Sequence, residues 1–323
     1  MKFLSYLYKD KEDYGVMNED NLIFSMVGIL EKLSINSKTK ENLSIKSGLI
    51  VDTKATRKVP EDLLSFIKEY GNTLNHQIKS VLPDLMDKAI SLDLVKLLAP
   101  IQYPIRNVFC VGKNYKDHAL EVTQFTNEAS SELPQHPIYF SKATNKLLAD
   151  QEPIVVRKEF ARKLDYEVEL ALIIGKAGCD IEPGQAADYI FGYAIGNDVS
   201  ARDLQNERGQ WFRGKSLDNA LPLGPWIVSP DEITFPLRLN ISAKINGEIR
   251  QNSNTKEFIF DIPTLIADLS RGLTLFPGDI ILTGTPAGVG IAMNPPQYLK
   301  SGDLIEFEIE QIGKLTNIVK LID

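Results

Sequence analysis

The chain has 323 residues, 43% of them hydrophobic and 24% charged, the balance of an ordinary globular protein with room for one large core and a smaller domain. Its formal net charge of −7, its pI near 5.2 and the lack of any basic run exclude a general field that would gather nucleic acid or an anionic membrane, so neither is an expected partner. Cys110 and Cys179, its two cysteines, can build neither a disulfide framework nor a thiolate metal site, and their apolar neighbours predict buried, reduced thiols.

From the N-terminus, the chain turns charged within ten residues. It lacks there the continuous apolar stretch of a signal peptide or membrane span, so the cytoplasm is the expected compartment. Alternating apolar and polar positions over residues 2–30 predict a short hairpin. Pro60-Glu61-Asp62 opens a helix with Leu63, Leu64, Phe66 and Ile67 on one stripe, and a second helical stretch is expected over residues 92–98. Residues 99–104 break regular structure and form the candidate linker. From Asn107 onward come short β-rich runs at 108–111, 169–174, 190–195, 237–245, 279–283 and 303–309, separated by Gly, Pro, Asn and Asp. Ile262–Leu269 reads most clearly as a helix. Helices are too few for a doubly wound sheet, so the expected fold class is α+β, β-rich, with a small N-terminal appendage. The polar stretches 123–135 and 205–215 are expected to be mobile loops near a site.

The segment Asp165-Tyr166-Glu167-Val168-Glu169-Leu170-Ala171-Leu172-Ile173-Ile174 carries the most chemistry. On a strand, Glu167 and Glu169 point the same way, and the strand runs on into an apolar core. Two carboxylates there repel and resist desolvation unless a cation neutralises them, although a solvated edge strand would carry them harmlessly. Asp198 ends the next apolar run and supplies a third carboxylate. A set without histidine suits Mg²⁺ or Mn²⁺ rather than zinc or copper. In Gly112-Lys113-Asn114-Tyr115-Lys116-Asp117-His118-Ala119-Leu120-Glu121, helical spacing would put His118 and Glu121 on one face, where the carboxylate orients the imidazole as a general base; a plain surface helix reads the same way. Arg202 and Gln205 could grip a carboxylate or carbonyl, and Lys215 could face an oxyanion, or all three could be ordinary surface groups. Thr283-Gly284-Thr285-Pro286-Ala287-Gly288-Val289-Gly290 forms a glycine-rich turn without the lysine of a P-loop, whose amides and Thr285 could meet a carboxylate. His76 and His136 fit no motif and are expected to be structural or exposed.

Taken in order, GKNYKDHALE, DYEVEL, NDVSARDLQ, GKSLDNALPLGP and ILTGTPAGVG resemble the ordered motifs of the fumarylacetoacetate hydrolase superfamily, over roughly residues 104–323. The resemblance implies metal ligands at Glu167, Glu169 and Asp198 for Mg²⁺ or Mn²⁺. It implies catalytic roles for His118, Glu121 and Lys215, with the first two on a lid, and substrate binding by Arg202, Gln205, Thr285 and Lys142. It further implies a mixed β-roll assembled as a homodimer, with a small α/β domain over residues 1–100 and the catalytic domain over 104–323. The first hundred residues and the stretch 294–303 look like a bacterial branch that includes oxaloacetate decarboxylases. Two departures are a longer stretch at 123–135 and Ala143, where many relatives have proline after the lysine. The implied activity is cleavage of a C–C bond next to a pyruvoyl group, by oxaloacetate decarboxylation or hydrolysis of 2,4-dioxo acids, through a metal-stabilised pyruvate enolate. Isomerisation of a 2-hydroxyhepta-2,4-diene-1,7-dioate-type acid and a catalytically silent metal-binding scaffold are the alternatives.

Overall fold

The computed structural model describes residues 1–41, 59–126, 133–160, 162–207 and 209–323. Its first feature is the expected hairpin: Lys2–Tyr8 and Lys11–Met17 pair antiparallel. They turn on Lys9 and Asp10, at φ of 50° and 62°, and positive φ at both turn residues matches the twist of the flanking strands. Leu22–Ser25 and Ile90–Ser91 add to one side of the hairpin. On the other side Lys2 and Phe3 pair with Val228 and Ile227, and the sheet continues through Leu223–Val228, Ile190–Asn197, Val168–Ile174, Ile280–Leu282, Val108–Gly112 and Ile138–Lys142. With Lys96–Leu98 on its flank, this sheet has eleven strands among the described residues.

A second sheet of five described strands runs in the order Glu248–Asn254, Asn240–Ile245, Leu304–Ile309, Gly313–Ile322 and Ile154–Arg157. Each sheet contains one parallel pairing among antiparallel ones, so the chain is β-rich α+β with mixed sheets.

Val168–Ile174 is buried at all seven positions, and the period of two explains how. Leu170, Leu172 and Ile174 join one apolar cluster with Ile241, Ala243 and Phe307 of the second sheet. Ala171 and Ile173 join another with Phe3, Phe66 and Phe191. The described residues among the first hundred therefore share a sheet and a core with the strand that leads to the carboxylates. Helix Leu63–Tyr70 starts at Asp62, whose carboxylate accepts from Ser65 N at 2.7 Å. It presents Leu63, Phe66 and Ile67, all buried, to that core. The Phe66 and Phe191 rings lie 6.0 and 4.8 Å from that of Phe3.

Several expectations are corrected. Residues 92–98 are not helical: Leu92–Leu94 is a 3₁₀ turn, and Lys96–Leu98 is drawn into a strand by pairing with Ser5–Leu7. The helix Lys116–Thr126 takes the first residues of the expected loop 123–135, of which 127–132 lie outside the described residues. Arg202–Asn206 and Phe212–Lys215 are helical and shorten the loop expected over 205–215. Cys110 is buried as expected, and burial pushes its thiol pKa well up, but Cys179 is exposed. No described helix is long and apolar enough to cross a membrane.

Candidate active site

The strand register brings the carboxylates together. Val168 faces Asn197 across the antiparallel pair, so the next residue of each chain, Glu167 and Asp198, fall side by side. Asp198 N donates to Glu167 O at 3.0 Å, and Glu167 N to Asn197 Oδ1 at 3.2 Å. Glu169 shares the face of Glu167, one pleat along. Carboxylate oxygens of all three lie within 4.8 Å of one another, and all three residues are buried. The strand is central rather than a solvated edge, so the pair needs countercharge.

Three cations supply part of it. Lys215 Nζ lies 2.7 Å from both Glu167 Oε2 and Asp198 Oδ2. Lys142 Nζ lies 2.9 Å from Asp198 Oδ1 and donates to Val199 O at 2.6 Å. Arg202 bridges Asp165 through Nε at 2.9 Å, and a terminal nitrogen lies 2.7 Å from Glu167 Oε1 without hydrogen-bond alignment. Lys215 is delivered by a close packing of two short helices, because a Cβ on Gly214 would meet Gln205 N at 2.5 Å and Ala201 O at 2.7 Å.

Among the described residues four buried carboxylates, Asp165 included, face these three cations, which leaves one surplus negative charge. It falls on Glu169. Burial raises the Glu167 pKa, but the Lys215 and Arg202 charges overcome it and hold this group down to about 2. Glu169 has burial and the charges of Asp198 and Glu167 against it, and its pKa is pushed well above the ordinary value, although Gly284 N donates to it at 2.6 Å. Burial lowers the Lys215 pKa and the charges of Asp198 and Glu167 more than restore it, so the ammonium stays charged. An all-oxygen donor set with one uncompensated buried charge fits a hard divalent cation, which Glu167, Glu169 and Asp198 would hold.

His118 and Glu121 are one turn apart on helix Lys116–Thr126, and His118 Nδ1 lies 3.1 Å from Glu121 Oε2. The ionised carboxylate fixes the imidazole proton on Nδ1, leaving Nε2 as the basic nitrogen. Glu121 also accepts from Gly288 N at 3.0 Å, which docks the helix onto the turn after Thr285.

A cavity of about 120 Å³ collects His118, Glu167, Glu169, Arg202, Gln205, Lys215 and Thr285 in its lining. Asp198 stands behind the carboxylates and Glu121 behind His118. Lys142 does not line the cavity, contrary to its expected place against the substrate: its ammonium is fully buried on Asp198 and Val199, where it steadies a carboxylate. The Thr285 hydroxyl donates to Val168 O at 2.9 Å and accepts from Gln251 Nε2 at 2.8 Å, so it has no proton left for a ligand. His76 and His136 are exposed.

Sequence reasoning missed Asp165, Gln251, Phe140 and Trp211. Asp165 accepts from Arg202, from Gly290 N at 2.7 Å and from Ile291 N at 3.0 Å, tying the arginine to the cavity loop. Its place two residues before Glu167 was the available signal.

Residues 107–320 match the fumarylacetoacetate (FAA) hydrolase C-terminal family. The chain is 41% identical over 289 residues to oxaloacetate tautomerase YisK of Bacillus subtilis, covering 84% of this chain and 94% of that protein. Among solved structures it is similar to a fumarylacetoacetate hydrolase from psychrophilic Exiguobacterium antarcticum, at a TM-score of 0.76 and 36% identity over the full length of both chains. It is also similar to maleylpyruvate hydrolase from Sphingobium sp. SYK-6 in complex with manganese(II) and pyruvate, at a TM-score of 0.71 and 26% identity, again over both full chains.

Proposed function

The chain belongs to the fumarylacetoacetate hydrolase family, and on that premise we propose that it is a divalent-metal enzyme that cleaves the C–C bond next to a pyruvoyl group in short 2-oxo acids. The observation that carries this reading is the placement of His118, Glu167 and Glu169 around one cavity, with Glu121 directly behind the histidine and Asp198 behind the carboxylates. Glu167, Glu169 and Asp198 would hold Mg²⁺ or Mn²⁺, which would supply Lewis acidity to the oxo-acid head of a substrate. The surplus negative charge of the cluster would otherwise repel an anionic substrate, and a divalent ion reverses its sign.

Each side chain then has a task that its surroundings favour. Arg202, pinned by Asp165, Gln205 and Glu167, puts a fixed positive charge in the cavity wall for a substrate carboxylate. Gln205 spends its carbonyl on Arg202 at 3.0 Å, which leaves its amide N–H groups as donors for a substrate oxygen. Lys215 stays protonated and cannot act as a base, so it serves as a fixed charge facing an oxyanion. Proton abstraction falls to His118 Nε2, with Glu121 stabilising the imidazolium that forms. In a 2,4-dioxo acid the proton comes from water that attacks the distal carbonyl; collapse of the adduct breaks the C3–C4 bond, releases the acyl part as a carboxylic acid, and leaves a pyruvate enolate that takes the proton back from the His118 imidazolium at C3.

Decarboxylation of oxaloacetate needs no such base, so the complete dyad favours hydrolysis of acylpyruvates. A second reading, keto–enol interconversion of oxaloacetate, is favoured by the 41% identity to a tautomerase and uses the same Nε2 on a C–H proton. The reading includes a homodimer and work in the cytoplasm, with a small oxo acid as the partner molecule.

The test assays purified, Mn²⁺-loaded protein on acetylpyruvate and oxaloacetate, following enol absorbance and pyruvate release, beside an EDTA control and His118→Ala. The expected result is metal-dependent turnover that falls about 10²- to 10⁴-fold in His118→Ala. Pyruvate release from oxaloacetate alone, at equal rates in both proteins, would replace hydrolysis by decarboxylation. Metal binding without turnover of either acid would leave a scaffold.

A further inference from the structure

We infer that Trp211 sets the length of the acid that the cavity accepts, a specificity role that rests on the oxo-acid reading above. The cavity has two characters. His118, Glu167, Glu169, Arg202 and Lys215 bring charge, whereas Val111, Phe140, Trp211, Val289, Ile291 and Ala292 bring apolar surface. The carboxylate and 2-oxo groups of a substrate belong with the charges, which leaves the apolar surface for the substituent they carry.

Trp211 is the largest side chain of that surface, half-buried and braced on two sides. Its ring edge rests on the backbone of Gly112, where an added Cβ would lie 2.4 Å from Cζ3 and 2.9 Å from Cη2. Gly112 is not in the left-handed region, so the close approach of the indole is what demands glycine there. The indole also meets the Phe140 ring nearly edge-on, with centroids 5.3 Å apart and planes at 79°. The same Phe140 ring has the Lys215 ammonium 5.2 Å from its centroid. Lys215 N donates to Trp211 O at 3.1 Å, so a single helical turn carries both the indole and the fixed cation. The span from charged head to aromatic wall is therefore built into one rigid unit, with Phe140 as its spacer. A substituent that outgrows this span must displace an indole that Gly112 and Phe140 hold.

The test is calorimetric titration of the full-length, Mn²⁺-loaded protein with straight-chain 2-oxo acids from pyruvate to 2-oxooctanoate, for the wild type, Trp211→Ala, Gly112→Ala and Val289→Ala. Wild-type affinity is expected to drop sharply past a limiting tail length, on the order of tenfold for a methylene that does not fit. Trp211→Ala should raise the ratio of 2-oxooctanoate to pyruvate affinity by about tenfold or more. Gly112→Ala forces the indole off its seat and should also change the limiting tail length. Val289→Ala, on the same apolar surface but outside this contact, should leave the limit in place. Identical length profiles in the wild type, Trp211→Ala and Gly112→Ala, or an equal shift in Val289→Ala, overturn the inference. Should Trp211→Ala fail to fold, Trp211→Phe and Gly112→Ala decide by the same criterion. If Mn²⁺ binds but no 2-oxo acid binds to any of the proteins, the oxo-acid reading itself has failed and this inference falls with it.

Discussion

Strand Val168–Ile174 separates two kinds of interior. At one end Ala171 and Ile173 lie among Phe3, Phe66 and Phe191, where every contact gains from leaving water and none depends on a particular partner. At the other end Glu167, Glu169 and Asp198 are just as buried; Glu167 and Asp198 each lie on named cations, and Glu169 is left with the surplus charge. The first region resists change by volume, the second by charge balance. The first should thus be expendable for chemistry and costly for stability, and the second should matter to chemistry and to stability alike, through charge.

Phe66→Ala is the largest test of that division. It should cost about 3–5 kcal/mol of unfolding free energy and leave the Mn²⁺ affinity of the folded protein unchanged, as measured by urea unfolding and metal titration. A weakened metal site would mean that the aromatic core and the carboxylates are not separable. Next in size is an acid effect. Glu167 is held near 2 against an ordinary 4.5, so its contribution is present above pH 4.5 and is lost as pH falls toward 2, amounting to about 1–3 kcal/mol. Urea midpoints between pH 5 and 2.5 should fall more steeply for the wild type than for Glu167→Gln; parallel curves would contradict the pairing with Lys215 and Arg202.

Glu169 gives the smallest effect and the opposite sign. Its raised pKa means that the fold favours the neutral acid, a contribution present below its ordinary 4.5 and lost as pH rises through the raised value. Glu169→Gln keeps an acceptor for Gly284 N and removes the surplus charge. The metal-free variant should melt about 2 °C or more above the wild type at neutral pH, and Mn²⁺ should no longer raise its Tm. A lower Tm, seen by calorimetry with EDTA present, would show that Glu169 is not the surplus charge.

Much of this was legible in the sequence where the period of an element decides the outcome. The alternation of Val168–Ile174 and the stripe of Leu63, Phe66 and Ile67 fix which side chains turn inward. Spacing alone also placed Glu167 beside Glu169 and His118 beside Glu121. What pairs with what was less visible. Nothing in residues 2–8 says that Lys2 and Phe3 will lie against Val228 and Ile227. Residues 92–98 lost their apparent helix to an edge-strand pairing of the same kind. Lys142 looks like a binding residue until the fold brings Asp198 and Val199 to its ammonium and seals it in. Trp211 and Gly112 are far apart in the chain, and their mutual fit exists only in three dimensions.

The cation count has a further consequence, for the order of assembly. Lys142, Arg202 and Lys215 already balance three of the four buried carboxylates, so the chain can close around its site before any ion arrives. A protein whose ligands have no such internal countercharge must wait for its metal in order to fold. Here the ion would be a late and exchangeable addition, and supply in the surrounding compartment would govern whether Mg²⁺ or Mn²⁺ sits there.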